Sequence, residues 1–174
     1  RRDAYTRTGG HAEIRSNPLD DFTLGRIIKR LGLTWVLYQG TESVQTLGYK
    51  GDIEAFRGIS RSVFPAINYR VSVFILFSVI LTSLSFLPLA TLVASVLLNQ
   101  QATELLVLST MSLGMIIISW GIVCRKFKHS ILTVLFYPLS VAVIIVLAWH
   151  SFFTYTFGVA DWKSRRILGK KTRL

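Results

Sequence analysis

The sequence is poor in the groups that staple or metallate a fold: one cysteine, three histidines and nine acidic side chains against twenty basic ones in 174 residues. Cys124 alone can close no internal disulfide, so nothing points to an oxidising compartment. His11, His129 and His150 fall into no zinc-ligand spacing, which argues against a metal site within these residues. The opening Arg1-Arg2-Asp3-Ala4-Tyr5 holds no initiator methionine, no basic-then-apolar signal pattern and no cleavage site. The chain therefore reads as the back part of something longer. The apolar stretches hold almost no ionisable residue besides His150, which argues against a transporter, because intramembrane charges mark ion and substrate paths.

What is present is apolar. Hydrophobic residues make up 51% of the chain and concentrate between Val71 and Gly158, in runs long enough to span a bilayer, so the sequence predicts an integral membrane protein. A net charge of +11 in a soluble protein would raise nucleic acid as a partner. Here the basic residues flank the apolar runs, as expected of positions facing the cytoplasm and anionic headgroups, and nucleic acid is set aside. Three stretches are expected, 71–98, 104–124 and 130–158. As a straight helix the first measures about 42 Å against a hydrocarbon core of about 30 Å, so it must tilt, kink at Pro88 or protrude. Basic clusters precede the first stretch, separate the second from the third (Arg125, Lys126, Lys128) and fill the tail. Three plain crossings put that tail outside, against the positive-inside rule. A third stretch that enters and returns, bending near Pro138, keeps every cluster on one face. Both topologies stay open.

The first 52 residues are polar. Arg2 to Thr8 reads as a short helix or turn stopped by Gly9-Gly10, and Asn17-Pro18 disfavours helix until Asp20-Asp21. Leu24, Ile27, Ile28 and Leu31 then recur at helical spacing, with Arg26, Lys29 and Arg30 pointing elsewhere, and Gly32 ends the helix. Thr34 to Tyr38 reads as a strand and Ser43 to Leu47 as a second. Residues 53–64 set Ile53, Phe56, Ser60, Val63 and Phe64 near one face with Arg57 and Arg61 on the other, the pattern of a helix lying in the headgroup plane until Pro65 breaks it. On spacing alone, Asp20 and Asp21 are equally well explained as a helix N-cap.

Gly9-Gly10-His11, the acidic pair about ten residues on, the Leu24-Gly25-Arg26-Ile27-Ile28-Lys29-Arg30-Leu31-Gly32 helix and the segment Tyr49–Phe64 together resemble the end of the catalytic domain of family 2 glycosyltransferases and its junction with the membrane. The hopanoid-associated, carotenoid-associated and ceramide-glucosyltransferase-like branches are the most similar, and their acceptors are lipids. The resemblance implies that Asp21 is the general base, with Asp20, where a glutamate is more usual, as a supporting group or helix cap. It implies a nucleotide-sugar donor and a lipid acceptor. It also implies a divalent metal, Mg or Mn, held by an upstream half whose Asp-x-Asp motif does not occur here, so that this chain alone should be inactive. The Gln/Arg-x-x-Arg-Trp motif of processive members is missing. Arg57 and Arg61 stand roughly in its place, as groups for a leaving diphosphate or as headgroup-facing charges. Asp161-Trp162-Lys163-Ser164-Arg165-Arg166 resembles the Trp-Lys-Gly-Arg tail of these enzymes. Trp162 and Arg165 are candidates for phosphate or acceptor contact, or for an interfacial anchor.

The fold expected is thus an α-rich integral membrane protein: a small α/β remnant of a nucleotide-sugar transferase catalytic domain (1–52), an interfacial amphipathic helix (53–70), a transmembrane region (71–158) and a basic tail (159–174). The activity expected is sugar transfer to a lipid at the cytoplasmic face, in the cell (inner) membrane. The competing class is a non-enzymatic basic membrane scaffold or partner subunit.

Overall fold

The computed structural model describes residues 2–14, 19–36, 38, 40, 43–44, 48–98 and 104–157, with the backbone alone of 103, 160–162 and 165–167. The described chain is helical: α1 (Arg2–Arg7), α2 (Gly10–Glu13), α3 (Asp20–Arg30), α4 (Asp52–Ala66), α5 (Val71–Leu97), α6 (Thr103–Lys126), α7 (Leu132–Leu135) and α8 (Tyr137–Thr156). Two three-residue strands, β1 (Ala160–Trp162) and β2 (Arg165–Ile167), pair antiparallel with Trp162 opposite Arg165. The residues form two compact units, 1–71 with 147–174, and 72–146.

In the first unit the glycine pair behaves as its residue type dictates. Gly9 and Gly10 have φ of +73° and +60°, a region other residues enter at a cost. A Cβ on Gly10 would lie 2.8 Å from the Tyr5 ring. The space it leaves lets the Tyr5 hydroxyl accept the His11 amide hydrogen at 3.0 Å and stand 2.7 Å from His11 Nδ1. The Gly-Gly-His run is thereby fixed as a local knot with α1.

Among the described residues the expected strands do not form. Thr34, Trp35, Val36 and Tyr38 have no regular structure, and neither do Ser43 and Val44, while the rest of 43–47 lies outside the described residues. A strand needs a partner to satisfy its amides, and even two strands are marginal alone. Trp35 instead packs on α3, where a Cβ on Gly25 would meet its indole at 3.0 Å. Among the described residues there is no α/β remnant. The buried position on α3 is accordingly Gly25, whereas Leu31, expected on the apolar face, is exposed.

Helix α4 covers the expected amphipathic segment and runs one residue past Pro65, which does not break it. Proline has no N–H for the carbonyl four residues back, here Arg61. The Tyr155 hydroxyl, from the last turn of α8, donates to that oxygen at 2.9 Å. One residue earlier, the Phe64 amide donates to Ser151 Oγ at 3.0 Å, in a fully buried contact. The Phe64 ring is itself buried, edge-on to Phe152 and Tyr69. The turn after α4 then takes Asn68 and Tyr69 through φ of 58° and 59°, the left-handed region, which costs of order 1–2 kcal/mol per residue. Tyr69 is held there between the Phe64 and Tyr155 rings, at 5.6 and 5.4 Å.

In the second unit, α5 and α6 follow the two apolar stretches within a few residues. Helix α5 continues through Pro88. The Tyr137 hydroxyl donates to the Ser85 carbonyl at 3.3 Å, beside the Leu84 carbonyl that Pro88 cannot serve. Thr91 Oγ1 and Ser109 Oγ join α5 to α6 at 2.6 Å. Tyr137, Leu113 and Val141 form the core of this unit. The third stretch is not one helix: α7 and a turn at Phe136 precede α8, and Pro138 sits in the first turn of α8, where a missing N–H is harmless. Tyr137 thus stands beside mid-helix residues of α5 and α6 only eleven positions after Lys126.

Helices α5, α6 and α8 are long and apolar enough to cross a membrane, and residues such as Leu76, Leu84, Met115 and Ile118 point outward uncovered. Apolar surface on that scale is stable in lipid, and helices with internally satisfied backbones suit it. The chain has the features of a membrane protein.

Candidate functional site

Two sets of side chains were expected to carry function, and they occupy different parts of the first unit. Asp20 and Asp21 open α3 and are exposed. The cap position is Leu19, not Asp20. Each carboxylate accepts the next residue's amide hydrogen, Asp20 from Asp21 at 3.0 Å and Asp21 from Phe22 at 2.7 Å. Both thus satisfy first-turn donors and sit where the helix dipole favours negative charge. The second oxygen of each carboxylate makes no hydrogen bond among the described residues.

Helix α3 is tied to the end of α4 by one side chain. Arg26 Nη2 donates to the Ala66 carbonyl at 2.9 Å and Nη1 to Asn68 Oδ1. Arg26, expected off the apolar face, clamps the strained turn after α4. Its planar fork reaches both acceptors at once, which a lysine cannot do. Within the same turn, burial pushes the Tyr69 phenol above its usual pKa, so it stays a neutral donor.

Arg57 and Arg61 do come together. They sit one turn apart on α4 and, with Ser60, His150, Thr154 and Tyr155, line a cavity of about 280 Å³ against the last turns of α8. Arg57 is exposed, while Arg61 is half-buried and its Nε is shielded from solvent with no hydrogen-bond partner. The expectation that both arginines oppose the apolar face is corrected here: Ser60, at the centre of that face, lines the same cavity, and Ile53 is left exposed. Asp20 and Asp21 do not line it.

Trp162 and Arg165 are brought opposite each other by the strand pairing, and their side chains lie outside the described residues. His150 was missed as a site residue, although it is the one ionisable side chain deep in an apolar stretch, and that was its signal. It stacks edge-on with Phe56 at 4.9 Å. Tyr155 and Thr154 carried no signal, because their place depends on how α8 docks. Among the described residues no group of three His, Cys, Asp or Glu gathers to hold a metal, so the divalent ion implied by the resemblance has no fitting donor set here. No protein-family model, curated protein or solved structure matches the chain.

Proposed function

We propose that the chain is the membrane-proximal part of a glycosyltransferase that moves a sugar from a nucleotide donor to a lipid acceptor at the cytoplasmic face of the cell membrane. The observation that carries this reading is the Arg26 clamp. It fixes α3, with an exposed carboxylate pair at its free end, to the amphipathic helix that precedes the first apolar span. A base for a lipid hydroxyl has to stand in water yet be anchored to an element that lies at the lipid surface, and this arrangement supports both requirements.

In the proposed step Asp21 takes the proton of the acceptor hydroxyl as its oxygen bonds to the anomeric carbon. The bond from that carbon to the diphosphate breaks, and the nucleotide leaves with the electron pair. Asp20 supports the helix start by accepting the Asp21 amide hydrogen. Donor and metal are assigned to residues beyond those described. No step of the scheme runs through the metal. The test is sugar transfer from a labelled nucleotide sugar into membrane lipids by the full-length protein, with Asp21→Asn as the variant. Loss of transfer with normal membrane insertion supports the reading.

A further inference from the structure

We infer that the cavity between α4 and the end of α8 binds the phosphate of an anionic lipid headgroup. This inference rests on the lipid-acceptor reading and deepens it by naming the headgroup class.

Three observations converge. First, Arg57 and Arg61 are like charges at i, i+4, an arrangement that is unfavourable by itself and is relieved by an anion between them. Second, Arg61 is half-buried on the cavity wall, and a charged group held there without a counter-ion is costly. Among the described residues neither guanidinium has a carboxylate partner. Third, the other polar groups on the walls are largely spoken for. Tyr155 donates to Arg61 O, Thr154 to His150 O, and Ser60 weakly to Arg57 O. That leaves the two guanidiniums and the His150 ring, with the buried Ser151 hydroxyl, which accepts the Phe64 amide hydrogen, as the groups on the walls.

The ligand class follows from their chemistry. Two planar forks on one anion suit a phosphate with several acceptor oxygens better than a single carboxylate. The C-terminal end of α8 opposes an anion weakly, and two guanidiniums outweigh it. At about 280 Å³ the cavity lies near the small end of the roughly 300–1,000 Å³ of sites that enclose drug-sized ligands, a size that suits a headgroup better than a nucleotide sugar. Helix α4 is amphipathic, and the phosphates available at an amphipathic helix on a membrane are those of lipids.

The experiment measures labelled phosphatidic acid retained by purified full-length protein in detergent, with unlabelled phosphatidic acid and inorganic phosphate as competitors. Retention should fall about tenfold or more in Arg57→Gln/Arg61→Gln. It should stay within about twofold in Lys29→Gln/Arg30→Gln, which removes the same charge from the exposed end of α3. Equal losses in both double variants, or none in either, overturn the site. Displacement by inorganic phosphate as effective as by the lipid overturns the lipid source. Should the arginine variant fail to fold, His150→Gln decides: weakened retention at an unchanged unfolding midpoint supports the cavity, and unchanged retention overturns it. Asp21→Asn separates the two readings, since it should abolish transfer and leave retention intact.

Discussion

The Tyr155 hydroxyl donates to the Arg61 carbonyl at 2.9 Å, the oxygen that Pro65 leaves without an amide partner. A proline inside α4 and a tyrosine ninety residues later are two halves of one device, and the device also holds Arg61 at the cavity.

Tyr155→Phe should cost about 1–3 kcal/mol, because it strands a carbonyl without a donor. Pro65→Ala restores the N–H, so the tyrosine change should cost less in that background. A double-mutant cycle on unfolding midpoints reads the coupling. Additive losses would show that the two residues act independently.

Removing the clamp should be felt at a distance. Arg26→Ala loses a charge-assisted pair of hydrogen bonds worth about 1.5–3 kcal/mol and frees α3 from α4. Proteolysis between α3 and α4 should accelerate, and sugar transfer should fall while Lys29→Ala changes neither. Arg26→Lys should recover only part of the loss, since an ammonium cannot present the two-pronged fork.

Gly10→Ala should destabilise the knot around Tyr5 by two routes, a φ of +60° and a Cβ at 2.8 Å from the ring. In a Tyr5→Ala background the clash is gone, and Gly10→Ala should then cost only the backbone term of about 1 kcal/mol relative to Tyr5→Ala alone. If Gly10→Ala costs nothing in that background, the positive φ carries no cost.

Much of this organisation is legible in the sequence because it follows from local chemistry. The glycine pair, the start of α3 at Asp20 and the long apolar helices come from backbone freedom, the bar to helix just before Pro18 and hydropathy. What depends on tertiary contact was not legible. Thr34 to Tyr38 has strand-forming residues but no strand partner among the described residues, and Trp35 packs on Gly25 instead. Pro65 reads as a helix breaker, and only Tyr155 makes its place inside α4 tolerable. Arg61 reads as a surface charge because its pattern on the helix says nothing of α8. A bend near Pro138 was one of the two topologies that charge placement left open; a turn at Phe136 separates α7 from α8, and α8 by itself is long enough to cross a membrane.

That charge placement makes a topological prediction of its own. Cysteines placed at Lys128 and at Phe157 should both react with an impermeant thiol reagent from the cytoplasmic side, as the positive-inside rule requires if the third stretch returns to its side of entry. Reaction of the Phe157 position from outside alone would establish three plain crossings.

The most direct test of the proposed activity is Asp21→Asn in the full-length protein, assayed for sugar transfer to membrane lipids alongside phosphatidic acid retention. A lost general base should lower transfer by about 10²–10⁴-fold with retention unchanged. Transfer at the wild-type rate would contradict the assignment of Asp21 and, with it, the reading of this chain as the base-bearing part of a glycosyltransferase.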